Sequence, residues 1–156
     1  MRFVEQARKN RPGIVLGADF ISGFPTENCE AHVSSLKLIN DLEICWGHIF
    51  PYSPRNGSPA AKMPQIESKL RKDRAKELRI ACNKNSKSWM KSQVGSIANV
   101  LMESGNSGRC EYFSTVKTNG IFQRGTIQKL KINKMKYDSL QGVSIENHQK
   151  EIYDLV

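Results

Sequence analysis

Near Gly95 the rhythm of the sequence changes. Before it, apolar runs of strand length alternate with longer segments whose apolar residues recur every three or four positions. After it come four short, partly alternating runs, SIANVLMES, GRCEYFSTVK, RGTIQKLKINKMKY and SLQGVSI, broken by Gly, Asn and Ser. The first rhythm belongs to strand–helix–strand units on a parallel sheet, the second to a small antiparallel barrel or sandwich. The chain therefore reads as α/β followed by all-β, with a boundary near residues 91–95: one body over 1–91 and a second over 92–156.

Within the first body, residues 3–10 read as a helix interrupted by Arg11, Pro12 and Gly13. Residues 14–21 are apolar enough for a buried strand. A helix over 28–42 is predicted from Val33, Leu36, Ile39 and Leu42 on one face, with Leu38 beside them and Thr26 or Asn28 as cap. ICWGHIF, residues 44–50, forms the next strand, and PYSPRNGSP a turn-rich loop. A last helix runs from about Pro64 to about Met90. Its apolar face holds Ile66, Leu70, Leu78 and Cys82, with Ala75 and Ala81 nearby, and its other faces Lys69, Arg71, Lys72, Arg74, Lys76 and Arg79.

That helix concentrates the charge. The chain carries +9 in all, and residues 62–91 alone carry +7. Such a helix either tracks a phosphate backbone or forms a solvated face. The four cysteines, Cys29, Cys45, Cys82 and Cys110, include no C-x-x-C pair, so zinc or a local iron–sulfur motif is not expected and plain small residues are. No run approaches the ~20 apolar residues of a membrane span, and the start lacks a signal peptide's apolar stretch. A cytoplasmic protein without membrane contact is expected.

Two loops carry candidate chemistry. In a parallel sheet, ligands bind at the carboxyl ends of the strands. The corner Gly23-Phe24-Pro25-Thr26-Glu27 falls at one such end, where Gly23 lets backbone approach a ligand and the following helix offers free N–H groups. At the other end, prolines stiffen the loop and hold Tyr52, Ser53 and Arg55 in set directions. Arg55 is either a bidentate partner for a carboxylate or phosphate or a solvated loop residue. His48 is either an acid–base group or a packed strand residue. Tyr112, Phe113 and lysines of the β-rich tail, Lys129 and Lys131 among them, are ingredients of an RNA-binding barrel. A Ser-His-Asp set, a P-loop and a G-x-G-x-x-G motif are not found.

GADFISGFPTEN and HIFPYSPRNGSPAAKMPQ together resemble the second half of a radical S-adenosylmethionine tRNA methylthiotransferase. The branch most similar acts on threonylcarbamoyladenosine beside the anticodon. Its motifs read G-A-D-I-I-x-G-F-P-T-E-T and H-x-F-P-Y-S-P-R-x-G-T-P-A-A-x-M-P-Q. Lys72 to Arg79 match its K-x-R-x-x-x-L-R run. The resemblance implies part of a radical-SAM barrel followed by a TRAM-like, OB-like β-barrel that binds tRNA. It places Ile21, Gly23, Phe50 and Tyr52 on the S-adenosylmethionine side, and Arg55, Arg71, Arg74, Lys129 and Lys131 on the substrate or RNA side. Departures are modest: Asn28 and Ser58 stand where Thr is usual, and Ser22 where a small apolar residue is.

The family reaction uses S-adenosylmethionine and two [4Fe-4S] clusters. The radical-generating cluster sits in C-x-x-x-C-x-x-C, with three further cysteines for the second. Neither pattern occurs here, since no cysteine precedes Cys29. The chain is therefore expected to be a C-terminal portion and inactive alone, with tRNA as its partner and a separately encoded N-terminal half as a candidate partner. A non-catalytic RNA-binding module and a decayed remnant are the rival readings. Residues 1–90 are expected to be poorly stable alone, with an unpaired sheet edge.

Overall fold

The computed structural model describes residues 2–145. The chain divides into two compact units, one ending at Ser86 and one starting at Lys87. Composition places the change five residues later. The difference has a packing cause, because Met90 is buried with the second unit's core and Trp89 packs against it.

The first unit begins with α1 (Arg2–Asn10), followed by β1 (Gly17–Ser22), α2 (Cys29–Asp41), β2 (Trp46–Pro51) and a 3-10 turn at Pro59–Lys62. It ends within α3 (Ser68–Ser92). β1 and β2 pair in parallel, from Gly17 opposite Trp46 to Ser22 opposite Pro51. Asn28 caps α2, its side chain accepting the Ala31 N–H at 2.8 Å. Ile39, Ile44, Ile49, Ala75, Leu78, Ala81 and Cys82 form the core, with Ala18 and Phe20 packed on it. Among the described residues only one sheet face is covered. Gly17, Asp19, Ile21, His48 and Phe50 are exposed on the other, so β1 alternates where full burial is expected, and His48 is not packed.

The helices bury stripes shifted from those expected. On α2, His32 and Ile39 are buried, whereas Val33 is 61% exposed. On α3, Arg74, Ala75, Leu78, Ala81 and Cys82 are buried and Leu70 is exposed. Positions 71, 74, 75, 78, 81 and 82 share one helical face, so two arginines occupy what is otherwise an apolar stripe. Helix α3 lies so close to β2 that a Cβ on Gly47 would fall 2.5 Å from Cys82 Sγ. Only glycine permits that approach.

The second unit is a closed barrel of β3 (Ile97–Ser104), β4 (Ser107–Cys110), β5 (Thr115–Thr118), β6 (Ile127–Lys136) and β7 (Ser139–Ser144), in the order β3-β4-β5-β7-β6. β5 and β7 are parallel and the other pairs antiparallel. Closure through β3 and β6 removes both sheet edges. The interior holds Val100, Met102, Val116, Leu130, Ile132 and Leu140, each at most 1% exposed. The architecture is consistent with an OB-like barrel. GRCEYFSTVK, one run in the sequence, is two strands: the chain turns back between them, with Phe113 at φ 63°. Among the described residues no helix is long and apolar enough to cross a membrane.

Candidate functional site

At the carboxyl ends of β1 and β2 the uncovered sheet face opens into a cleft of about 570 Å³. Ile21, Phe50, Tyr52, Arg55, Ser58 and Ala60 line it. Ile21 and Phe50 are register partners on adjacent strands, 61% and 56% exposed, so two large apolar side chains stand together in solvent. Singly exposed apolar residues are ordinary, but a paired patch at a strand-end cleft is a candidate binding surface.

The loop after β2 is firmly held. Tyr52 N–H donates to Ser22 O at 2.7 Å and ties the two strand ends together. The Tyr52 ring meets Phe24 edge-on, centroids 5.2 Å apart. Ser58 Oγ donates to Arg55 O at 2.8 Å, and Gln65 Nε2 donates to Ala60 O and Met63 O at 2.9 and 2.7 Å. The Arg55 backbone is thus pinned while its side chain remains exposed. Among the described residues the buried Tyr52 hydroxyl has no hydrogen-bond partner. A buried orphan of this kind calls for a ligand atom or water.

The corner before α2 is built differently from expectation. Gly23 is buried and does not line the cleft. Its N–H donates to Glu27 Oε2 at 2.9 Å. Its φ is +76°, and a Cβ there would fall 2.3 Å from Arg71 Cγ. Glycine is required at this point for the arginine packed on it, and the N–H is already engaged.

The arginines of α3 turn inward. Arg74 is 5% exposed, and its Nη1 donates to Glu27 O at 2.8 Å and to Glu27 Oε1 at 2.9 Å. Arg71 Nη1 donates to Tyr52 O at 2.6 Å, and Arg79 Nη2 to Ile49 O at 2.6 Å. These guanidinium groups satisfy carbonyls at the end of β2 and on the corner, a geometry lysine does not match. The RNA contact expected of Arg74 is at odds with this burial: its side chain is a clamp between α3 and the corner. Lys69, Lys72 and Lys76 are exposed on the same helix.

Lys129 and Lys131 point outward from β6, opposite Asn99 and Ile97 of β3. Phe113 is 72% exposed, whereas Tyr112 is half-buried, its ring 5.5 Å from Trp89. The structure thus brings Ile21, Phe50, Tyr52 and Arg55 into one cleft and puts Arg71, Arg74 and Gly23 into the scaffold behind it. Sequence reasoning missed Glu27, which holds Gly23 and Arg74 together, and His32, whose Nε2 lies 2.6 Å from Glu77 Oε2. The readable signal was the arginines' place in the apolar stripe of α3.

Three thiols are shielded. Burial pushes Cys45 up to about 11, reinforced by Glu43 and Cys82, and burial also raises Cys82 and Cys110. Cys29 is exposed. Among the described residues no three His, Cys, Asp or Glu side chains come together as a metal site. These residues do not fit an iron–sulfur cluster, which needs a set of thiolates.

No protein-family model matches the chain. It is 38% identical over 132 residues to the threonylcarbamoyladenosine tRNA methylthiotransferase MtaB of Rickettsia prowazekii, covering 85% of this chain and 31% of that protein. It is 31% identical over 150 residues to the tRNA-2-methylthio-N(6)-dimethylallyladenosine synthase of Paracoccus denitrificans, covering 92% of this chain and 34% of that protein. The synthase of the same name from Erythrobacter litoralis is 28% identical over 153 residues. Over most of its length the chain is therefore related in sequence to tRNA methylthiotransferases, and it spans about a third of the length of these relatives.

Proposed function

We propose that this chain forms one wall of the active site and the RNA-holding barrel of a tRNA methylthiotransferase that acts on threonylcarbamoyladenosine beside the anticodon. The observation that carries the reading is the cleft at the ends of β1 and β2, which gathers Ile21, Phe50, Tyr52 and Arg55. Its apolar side chains suit the adenosine of S-adenosylmethionine, and the unpaired Tyr52 hydroxyl suits a polar atom of such a ligand. The Pro-Tyr-Ser-Pro-Arg and Met-Pro-Gln runs support the threonylcarbamoyladenosine branch, as does the higher identity to the Rickettsia prowazekii relative.

On this reading the two [4Fe-4S] clusters are held by cysteines outside these residues, and S-adenosylmethionine supplies the radical chemistry there. This chain contributes binding and orientation. The barrel serves as a TRAM-like tRNA site through Lys129 and Lys131. Arg74, buried against Glu27, has no part in RNA contact.

Titration of the chain with S-adenosylmethionine, followed by nuclear magnetic resonance, tests the cleft. The resonances of Ile21, Phe50 and Tyr52 are expected to move while that of Leu130 inside the barrel stays. Shifts confined to the barrel would contradict the reading.

The barrel itself favours a second reading, a non-catalytic RNA-binding module. Its strand order and the outward Lys129 and Lys131 support RNA binding independently of the cleft. Salt-dependent tRNA binding with no response of the cleft to S-adenosylmethionine would select it.

A further inference from the structure

We propose that Phe113 and Tyr137 form a stacking platform for unpaired nucleobases at one end of the barrel, so that the RNA segment gripped there is single-stranded. The proposal rests on the reading of the barrel as an RNA site and adds where on it, and in which form, the RNA is held.

Among the described residues, three that are not glycine have positive φ: Glu43, Phe113 and Tyr137. Two of the three are aromatic, and both lie in tight turns of the barrel. Phe113, at φ 63°, ends the loop between Cys110 and Ser114; its N–H donates to Cys110 O at 2.9 Å, and the Cys110 N–H donates to Ser114 O at 3.1 Å. Tyr137, at φ 54°, opens the turn between Lys136 and Ser139, which are register partners on β6 and β7. Hairpin positions of this kind favour glycine, because a Cβ crowds the backbone there. A bulky residue in the left-handed region is strained, and packing does not offset the strain: Phe113 is 72% and Tyr137 83% exposed. Tyr112, next to Phe113, is by contrast packed on Trp89.

The topology brings the two rings to one place. β5 and β7 run parallel with Val116 opposite Leu140, and the same offset aligns Phe113 with Tyr137, each three residues upstream. Paired strands lie about 5 Å apart, so the two turns are neighbours at one end of the barrel.

Their surroundings are cationic. Residues 87–145 carry nine basic and three acidic side chains. Each acid is engaged: Asp138 with Lys87 at 3.4 Å, Glu103 with Arg109 at 3.2 Å, and Glu111 accepting the Asn99 N–H at 3.0 Å. Lys136 Nζ sits 5.8 Å from the Tyr137 ring centroid, and Arg109 Nη1 donates to Phe113 O at 3.3 Å. Exposed rings beside cations complement a strand of RNA, whose bases offer flat π-faces and whose phosphates offer negative charge. In a duplex the bases are already stacked on one another, so the platform selects unpaired ones.

The test uses the full chain and three probes: a single-stranded RNA of about ten nucleotides, the same strand paired with its complement, and an abasic strand of equal length. Phe113→Gly and Tyr137→Gly relieve the left-handed strain, so both are expected to melt at or above the parent temperature. Each is expected to weaken single-strand binding by about tenfold. The slope of log affinity against log salt should stay unchanged, because no phosphate contact is lost. Tyr137→Phe keeps the ring and is expected to bind like the parent. The duplex and the abasic strand are expected to bind parent and variants alike.

Glycine variants that bind the single strand as tightly as the parent would overturn the platform and leave the barrel's RNA reading standing. The same loss towards the duplex or the abasic strand would show that the rings do not stack bases, and would overturn it too. Glycine variants that melt well below the parent would assign the rings to the fold instead of a ligand. No binding of any probe by the parent would overturn the RNA reading of the barrel and the proposal with it.

Discussion

Arg74 Nη1 lies 2.9 Å from Glu27 Oε1, and the other oxygen of that carboxylate accepts the Gly23 N–H at 2.9 Å. The two side chains are only 6% and 11% exposed, so this is a desolvated pair joining α3 to the corner after β1. Removing one partner from such a pair leaves a buried charge and costs about 3–5 kcal/mol. Arg74→Ala is expected to destabilise the first unit by that amount in urea unfolding. Glu27→Gln keeps an acceptor and should cost less, about 1–3 kcal/mol. A double-mutant cycle on the two positions is expected to return a strong coupling, and additive costs would show that the pair does not act as a clamp.

Gly23 and Gly57 separate backbone strain from close packing. Both have positive φ, +76° and +85°, but a Cβ meets Arg71 at Gly23 and nothing within 4 Å at Gly57. Gly57→Ala should cost about 1–2 kcal/mol, the left-handed backbone penalty alone. Gly23→Ala should cost clearly more, and it should also weaken ligand binding in the cleft, because Arg71 holds Tyr52 O. Thermal melts of the two variants side by side make the comparison.

The cysteines divide by exposure. With a thiol reagent in the native state, Cys29 is expected to react at once, and Cys45, Cys82 and Cys110 only as the chain opens. Burial raises Cys45 from 9.0 to about 11, so the folded state holds the thiol proton more tightly than the unfolded chain does. That contribution is fully present below pH 9 and is lost as pH rises to about 11. Unfolding midpoints should therefore fall across this range, and Cys45→Ala should shallow the fall.

The barrel's basic strand should announce itself through salt. Each phosphate contact adds about one unit to the slope of log affinity against log salt. If Lys129 and Lys131 touch tRNA, replacing both by Ala should weaken binding and reduce that slope by about two. An unchanged slope would move the RNA site off β6.

Much of this architecture could be read from the residues. A cap at Thr26 or Asn28, strands within about 14–21 and 44–50, and the change to short alternating runs follow from local patterns that need no tertiary partner, although the two strands start at Gly17 and Trp46, later than the apolar runs do. The loop's rigidity was legible in its prolines. Other features depend on contacts between distant segments. Nothing near Arg74 announces that a carboxylate 47 residues earlier neutralises it. A basic helix looks solvent-facing until its arginines are counted on the helical face that also carries Ala75 and Leu78. The exposure of Ile21 and Val33 was hidden for a related reason: hydrophobic pattern tells which residues share a face, not whether anything covers it.

On the reading proposed above, this chain forms one wall of the active site of a tRNA methylthiotransferase. The most direct measurement exchanges the matched third of the Rickettsia prowazekii relative for this chain and weighs the anticodon-loop nucleosides of tRNA made in cells that lack the native activity. The methylthio group is expected on threonylcarbamoyladenosine, and Phe50→Ala in the exchanged segment is expected to reduce it strongly. A folded, cluster-loaded chimera that leaves threonylcarbamoyladenosine unmodified would contradict it.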